Sequence, residues 1–574
     1  MRTYFLFIAT ASAEFYDVIS PLAVPPEGGC KPWTELPEWA KNFRDQANIA
    51  KAGSYCIQAG NAKEVERKGL AFKNSHANGP YCIGKVSGVI EYCTHADGVP
   101  EQINVQIASP TEVVVNFVTF ESTAPTKPPI VRLGSQKIEG VTHLHKTHAG
   151  REVYMHFIEL TGLKEKGRYH YTVQSGGENA TESAEYLLRA PYGSGETRIA
   201  LYGDMGVYSY NNMQNLEKDC VTDESMDLIV HAGDHCYNEG DSDEARADGY
   251  MQAFEATLAH VPWMPIVGNH EFYADAQLRR YLDQTWEKWA PLKEASAKSG
   301  WAKHIAAEGE SNAQSHIGAL LGTGTHHAAG LHGTVPSNTS RYFSVNFGLV
   351  HLIGLSLNGY NGVDTCTTTC NKQQLEWLEA DLKSIDRSKT PWVLAMSHYP
   401  LYLGEKEGVD TSYDHGPLAT KQWLNAEECE YCGHCLNCSV PGYTINAPDA
   451  INTTLKDARG DLEPLFYKYG VDVYWAGHIH FYQTFHGPLK DGKLIGNGTH
   501  NPNGVIHVCS GNGGPPSPTA CSSHPASKTC ISQPYSYTQL VAHNATDLTW
   551  RQISNKDNSV VDEWVIHQDH HGPF

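Results

Sequence analysis

The sequence predicts an α/β catalytic domain behind a smaller all-β module, and three observations carry that expectation. Five short apolar runs between Arg198 and His480 each stop, at the same end, on a side chain that carries oxygen or nitrogen. Helical stripes fall between some of these runs. Ahead of them, from about Gly98 to Pro191, the pattern changes to short stretches rich in Val, Ile, Phe and Tyr, separated by turn residues. Apolar runs bounded by turns and alternating with helices read as buried strands of an α/β sheet, and open α/β sheets gather ligands at the carboxyl ends of their strands.

The chain has 574 residues, which sets an expectation of about three to four domains. Its start, MRTYFLFIATASA, has one Arg, a short apolar core and an Ala11-x-Ala13 end, the pattern of a secretory signal peptide over residues 1–13. A truncated leader or a cloning remnant at Glu14-Phe15 is the alternative. Residues 14–97 hold Cys30, Cys56, Cys82 and Cys93 with little periodicity, and read as a loop-rich extension tied by disulfides. Residues 98–191 contain INVQIAS, EVVVNFVTF, REVYMHFIEL and RYHYTVQS, strand patterns that suggest a small β-sandwich with a structural or docking role. Tyr192 to Gly195 forms the linker.

Residues 196–568 follow as the α/β domain. In QQLEWLEADLKSI the apolar residues Leu375, Leu378, Leu382 and Ile385 form one helical stripe, and PWVLAMSH then enters as a strand. SRYFSVNF and LVHLIGLS flank Gly348 as a hairpin. The stretches 275–340 and 404–460 read as irregular insertions over the site.

A net charge of −21 excludes nucleic acid and anionic membrane as expected partners, and no stretch is long and apolar enough to span a bilayer. Six N-x-S/T sequons, at Asn179, Asn338, Asn437, Asn452, Asn497 and Asn544, fit glycan acceptors on surface loops of a secreted protein. The 15 Cys agree with an oxidising compartment, mostly as disulfides; the odd count leaves a thiol over, and Cys236 is a candidate for it. CEYCGHCLNC, from Cys429 to Cys438, suits a disulfide-tied loop, with zinc or an iron–sulfur cluster as the alternative.

The five runs end on Asp204; on Asp234, with Tyr237 just beyond; on Asn269 and His270; on His398; and on His478 and His480. Any one of these His by itself is more often a satisfied surface or core residue. Together, Asp204, Asp234, Tyr237, Asn269, His398, His478 and His480 are too many ligands for one catalytic ion with an open position, and two ions sharing a carboxylate fit the set. Two metals about 3.5–4 Å apart clamp the attacking and leaving oxygens of an in-line displacement. A Tyr ligand calls for a strongly Lewis-acidic ion, with Fe(III) the natural choice.

In order and type, Gly203-Asp204-Met205-Gly206, Gly233-Asp234-His235-Cys236-Tyr237, Gly268-Asn269-His270-Glu271, the His398 strand and Gly477-His478-Ile479-His480 resemble the five blocks of the purple acid phosphatases, within the metallophosphoesterase superfamily. PEQINVQI, LEPLFYKYGVDVYWAGH, VIHVCSGNGG and YSYTQLVAHNATDLTWRQIS are similar to further segments of the larger, two-domain members, so the likeness runs over roughly residues 98–568. It implies a metallophosphoesterase βαβ sandwich preceded by a fibronectin III-like domain. It implies that Asp204, Tyr237 and His480 hold Fe(III), that Asp234 bridges, and that Asn269, His398 and His478 hold a divalent zinc, iron or manganese. It implies that Asn269 and His270 contact the phosphate, that His270 protonates the leaving oxygen, and that Glu271 supports the loop. The sequence departs from the pattern at Ala395, where Val is usual, and after His480, where Phe-Tyr-Gln replaces Tyr-Glu-Arg. It also lacks pocket His from Tyr399 to Asp414. His415, His235 and Tyr402 are the substitutes to weigh for substrate contact.

The expected function is that of a secreted acid phosphatase, extracellular or in a vacuolar or lysosomal lumen, cleaving small phosphate monoesters with a metal-held hydroxide as nucleophile. A homodimer is left open. A phosphodiesterase, nucleotide pyrophosphatase or phytase on the same centre is the nearest alternative. An inactive cell-surface binding protein and a redox iron protein are alternatives of other classes.

Overall fold

A computed structural model describes residues 97–147, 150–206, 211–237, 244–272, 339–360, 368–405, 455–515 and 525–574, with isolated residues and short strands elsewhere. The leader, nearly all of the 14–97 extension, His415, the Cys429–Cys438 cluster and the sequons at Asn338, Asn437 and Asn452 lie outside the described residues.

Two four-stranded antiparallel sheets form the all-β module. One runs Gln136–Glu139, Ile130–Leu133, Arg168–Gln174, Tyr186–Arg189; the other runs Val141–Lys146, Glu152–Leu160, Glu112–Thr119, Glu101–Ser109. Ile103, Val113, Phe117, Val131, Ile158 and Val173 pack between them, as alternation along the strands requires. The strand Glu101–Ser109 is buried along its whole length, polar residues included, because its second face lies against the α/β domain.

The α/β domain packs two sheets face to face. In the six-stranded sheet Trp263–Ile266, Leu228–Ala232 and Thr197–Tyr202 run parallel, and Ser536–Ala542, Asp547–Ser554 and Val560–His567 continue it antiparallel. In the seven-stranded sheet Val350–Leu355, Trp392–Ser397, Val473–Ala476 and Ile506–Ser510 run parallel, with antiparallel strands at both edges. Both faces of the parallel strands are covered, so they read as continuous apolar runs rather than alternating ones. In Trp392–Ser397, residues 392, 394 and 396 enter the core between the sheets, while Val393 and Ala395 face the helices outside. The helix Thr368–Ser384 buries Leu378 and Leu382 there, with Leu375 packed beside them, and Leu455–Tyr469 adds Leu462 and Phe466. The helix Ala245–Leu258 covers the other sheet through Tyr250, Met251, Phe254 and Leu258. Helices outside two central sheets make a four-layered α/β sandwich, the fold class expected from sequence. The hairpin turning at Gly348, which takes φ +56°, forms where the sequence puts it. Among the described residues no helix is long and apolar enough to cross a membrane.

Candidate metal centre

The parallel strands of both sheets bring their carboxyl ends to one place. Thr197–Tyr202 delivers Asp204, Leu228–Ala232 delivers Asp234 and Tyr237, and Trp263–Ile266 delivers Asn269 and His270. From the facing sheet Trp392–Ser397 delivers His398, and Val473–Ala476 delivers His478 and His480. The loops leave their strands abruptly. Asp204, Asp234, Tyr237 and His478 all hold left-handed backbone, φ +54° to +67°. Such a conformation costs a non-glycine residue on the order of 1–3 kcal/mol and persists where surrounding structure over-determines it. The glycines allow the loops to touch: a Cβ on Gly268 would stand 2.2 Å from Asp234 Oδ1, and one on Gly477 would stand 2.6 Å from Asp204 Oδ2.

The side chains meet as two groups. In the first, Tyr237 Oη lies 3.0 Å from Asp204 Oδ1 and 2.9 Å from His480 Nε2, and the latter two atoms are 3.5 Å apart. In the second, Asn269 Oδ1 lies 2.8 Å from His398 Nε2 and 2.9 Å from His478 Nδ1. The two ring nitrogens are 3.2 Å apart, and Asp234 Oδ2 is 3.4 Å from His398 Nε2. Ligand bonds of about 2.0–2.2 Å place neighbouring donor atoms on a metal roughly 3 Å apart, so both groups have the spacing of coordination edges.

Their electrostatics agree. His398 Nδ1 donates to the Ala232 carbonyl at 2.7 Å, so in a neutral ring Nε2 carries a bare lone pair, and it faces the carbonyl oxygen of Asn269. Holding these acceptors together takes positive charge among them, either a proton or a metal cation. Burial pulls the His398 pKa down, but the Asp234 and Asp204 carboxylates outweigh it and push it up to about 9. Burial raises the carboxyl of Asp204, whereas Asp234, buried as deeply, is held well below the usual range by His398 and His270. Metal-free, His398 and Asp204 hold their protons more readily than usual; a donor set of carboxylates, imidazoles, a phenol and an amide oxygen fits hard or borderline cations.

His270 is partly open, as is His478. The His270 side chain is 19% exposed, Nε2 stands 3.9 Å from Asp234 Oδ2, and the ring packs edge-on to Tyr237 at 4.6 Å. Burial pulls its pKa below the ordinary value, against the Asp234 charge. Glu271 turns inward, and its carboxylate accepts the backbone N–H groups of Asp234 and His235 at 2.9 Å and of Gly268 at 2.6 Å. His235 is fully buried, donating from Nε2 to the Ile266 carbonyl at 2.9 Å and facing Glu239 at 3.0 Å through Nδ1. Tyr402 is bonded to Glu463 inside the core. Neither therefore substitutes as a substrate contact. Cys220, Cys236 and Cys509 are buried thiols, and Cys521 pairs with Cys530.

One contributor escaped the sequence reading. The loop Gly511-Asn512-Gly513 follows the Ile506–Ser510 strand and hydrogen-bonds the backbone at Gly203, and a Cβ on Gly511 would stand 2.8 Å from Asp204 Oδ2. VIHVCSGNGG, which also resembles a segment of the larger members, follows the same apolar-run pattern as the ligand strands but ends on no ligand side chain, so the pattern alone does not mark it as part of the site.

Three family profiles match the chain in order. That of the purple acid phosphatase N-terminal domain matches residues 100–189, calcineurin-like phosphoesterase matches 197–437, and iron/zinc purple acid phosphatase-like protein C matches 504–563. The chain belongs to the purple acid phosphatase family. It is thereby an enzyme of the phosphoesterase class. The chain is 25% identical over 516 residues to mouse (Mus musculus) acid phosphatase type 7, covering 85% of this chain and 94% of that protein. Zebrafish (Danio rerio) acid phosphatase type 7 is 25% identical over 451 residues, 74% of this chain and 80% of the relative. Purple acid phosphatase 22 of Arabidopsis thaliana is 22% identical over 421 residues, 72% of each. The solved structure of purple acid phosphatase PPD1 from yellow lupin (Lupinus luteus) seeds shares the fold, with TM-score 0.55 and 21% identity, covering 82% of this chain and 75% of that one. In this purple acid phosphatase chain His478 and His480 lie between the matched stretches, and it is the fold that carries them to Asp204 and Asn269.

Proposed function

We propose that this protein is a secreted, glycosylated acid phosphatase that hydrolyses small phosphate monoesters on a dinuclear Fe(III)–M(II) centre. The observation that carries this reading is the meeting of seven donor side chains, from five strand ends of two sheets, at coordination-edge distances. Asp204, Tyr237 and His480 would hold Fe(III), Asn269, His398 and His478 a divalent zinc, iron or manganese, and Asp234 both. Two such cations supply a nucleophile from water and absorb charge developing on the phosphoryl oxygens.

The chain's own residues supply the rest. His398 is held in the tautomer that frees Nε2 by its bond to the Ala232 carbonyl. Glu271 keeps the Asp234 and Asn269 loops in register through three backbone bonds. His270, partly open to solvent, orients the phosphate and passes the proton at Nε2 to the leaving oxygen, a task suited to a His in the mildly acidic range. Domains spanning 98–191 and 196–568 are part of this reading. So is a leader over 1–13; Asn179, Asn497 and Asn544, the sequons within the described residues, are exposed, as glycan acceptors need to be.

The test joins metal analysis with a visible spectrum and a panel of monoester, diester, phytate and nucleotide substrates. One iron and one divalent ion per chain are expected, with preferred turnover of monoesters and an absorption band that Tyr237→Phe abolishes. A metal-loaded protein that turns over diesters better than monoesters replaces the reading with a phosphodiesterase. No hydrolysis of any substrate points to a binding protein, and peroxide chemistry without hydrolysis to a redox protein.

A further inference from the structure

A buried ionic cluster joins the β-sandwich to the α/β domain, and the chemistry above makes no use of it. Its centre is the pair Glu244–Arg280, 3.3 Å apart and fully buried. Glu244 closes the stretch that follows Tyr237 in the chain and stands before the helix Ala245–Leu258 in left-handed backbone, φ +69°. Arg280 lies beyond the stretch that follows Asn269 and Glu271. The pair therefore ties together the far ends of the two segments that start in the metal centre.

The sandwich grips this pair. His145 donates from Nε2 to Glu244 at 2.7 Å, both side chains buried. Gln102 accepts from Arg280 at 2.7 Å and donates to Asp248 at 2.9 Å, and Asp248 also pairs with Arg280 at 3.0 Å. Arg151 pairs with Asp248 at 2.6 Å. Two guanidinium groups face two carboxylates, so the charges of the cluster balance, with Arg151 at its one partly open edge. A buried network of this kind adds little stability over an apolar core, but it holds one geometry, because removing any partner strands a buried charge.

We propose that His145 and Gln102, on the sandwich, are positioning residues for the metal centre: by holding the Glu244–Arg280 pair they set the separation of the loops bearing Tyr237 and Asn269. The inference rests on the reading of those two residues as ligands. The sandwich is then a working part of the active site rather than an appended module.

The test uses the full chain with His145→Ala, His145→Gln and Gln102→Met. Gln keeps an N–H donor where His145 Nε2 stands. His145→Ala should lower kcat by up to about 10-fold, the low end of the effect of losing a direct partner of a metal ligand because His145 acts through Glu244, with little change in KM. It should also shift the visible band and reduce amide hydrogen-exchange protection at residues 233–237 and 268–271 of the metal-free protein. His145→Gln should recover most of each. If His145→Ala does not fold, Gln102→Met should give the same effects in lesser degree. A folded variant with kcat, band and protection unchanged overturns the proposal, as does loss of protection confined to the sandwich. If the wild-type protein itself binds no metal and hydrolyses nothing, the phosphatase reading fails; the protection comparison still decides whether the sandwich holds the loops.

Discussion

Replacing Glu271 with Gln should loosen the metal centre by an amount set by three hydrogen bonds. The fully buried carboxylate accepts Asp234 N–H and Gly268 N–H on one oxygen and His235 N–H on the other. A Gln has one carbonyl oxygen. Its better orientation keeps the two bonds to Asp234 and Gly268 and turns the amide N–H groups toward the His235 backbone N–H and the ring Nδ1, where Glu271 Oε1 now stands 2.9 and 3.6 Å away. One charge-assisted bond is lost and a donor faces a donor, a loss of about 1.5–3 kcal/mol. Because the ligand loops are fixed through these bonds, that loss should appear as metal affinity, and at about 1.4 kcal/mol per decade it amounts to roughly 10–100-fold. Competition titration of zinc against a chelator, on wild-type and Glu271→Gln protein, measures it. An affinity within twofold of wild type, in a variant of native circular dichroism, would refute the positioning role of Glu271.

Other expectations follow from the same geometry. Gly268→Ala puts a Cβ on the Asp234 carboxylate, 2.2 Å from Oδ1, so metal content should fall below half of one ion pair per chain while the sheets, by circular dichroism, persist. In the metal-free protein the folded-state pKa of His398, about 9, lies above its unfolded value. Protonated His398 therefore stabilises that form fully below about pH 6.5, and the contribution is lost as pH rises through 9. Denaturant midpoints of the chelated protein should fall across that window, and those of a His398→Asn variant should not. Asn179→Gln, Asn497→Gln and Asn544→Gln should each remove one glycan's mass from protein made in a secretory host, since all three side chains are exposed; an unchanged mass at any of them would show that site to be unused.

Much of this protein was legible one segment at a time. Leu228–Ala232 and Trp392–Ser397 could be read as strands because both faces of a parallel strand are buried, which leaves an unbroken apolar run in the chain. Asp204, Asp234, Asn269, His398 and His478 could be picked out because each follows such a run at the end where α/β sheets gather ligands, beside a glycine in all but the His398 block. The helix at Leu375–Leu382 showed its stripe for a similarly local reason.

Partnership between distant segments was decided only by tertiary structure. That Tyr237 lies with Asp204 and His480, and Asn269 with His398 and His478, depends on how two sheets face each other. The inward turn of His235 and Tyr402 was invisible, since a polar side chain has the same letter whether it lines a pocket or satisfies a core partner. Gly511 carries no ligand atom to announce it. The burial of the polar residues of Glu101–Ser109 was not written in the strand, because it comes from the helix Ala245–Leu258 packed against them. Hydrophobic periodicity is written along the chain because it reflects each element's own burial; the pairing of buried charges is a property of surfaces that meet only after those elements have packed.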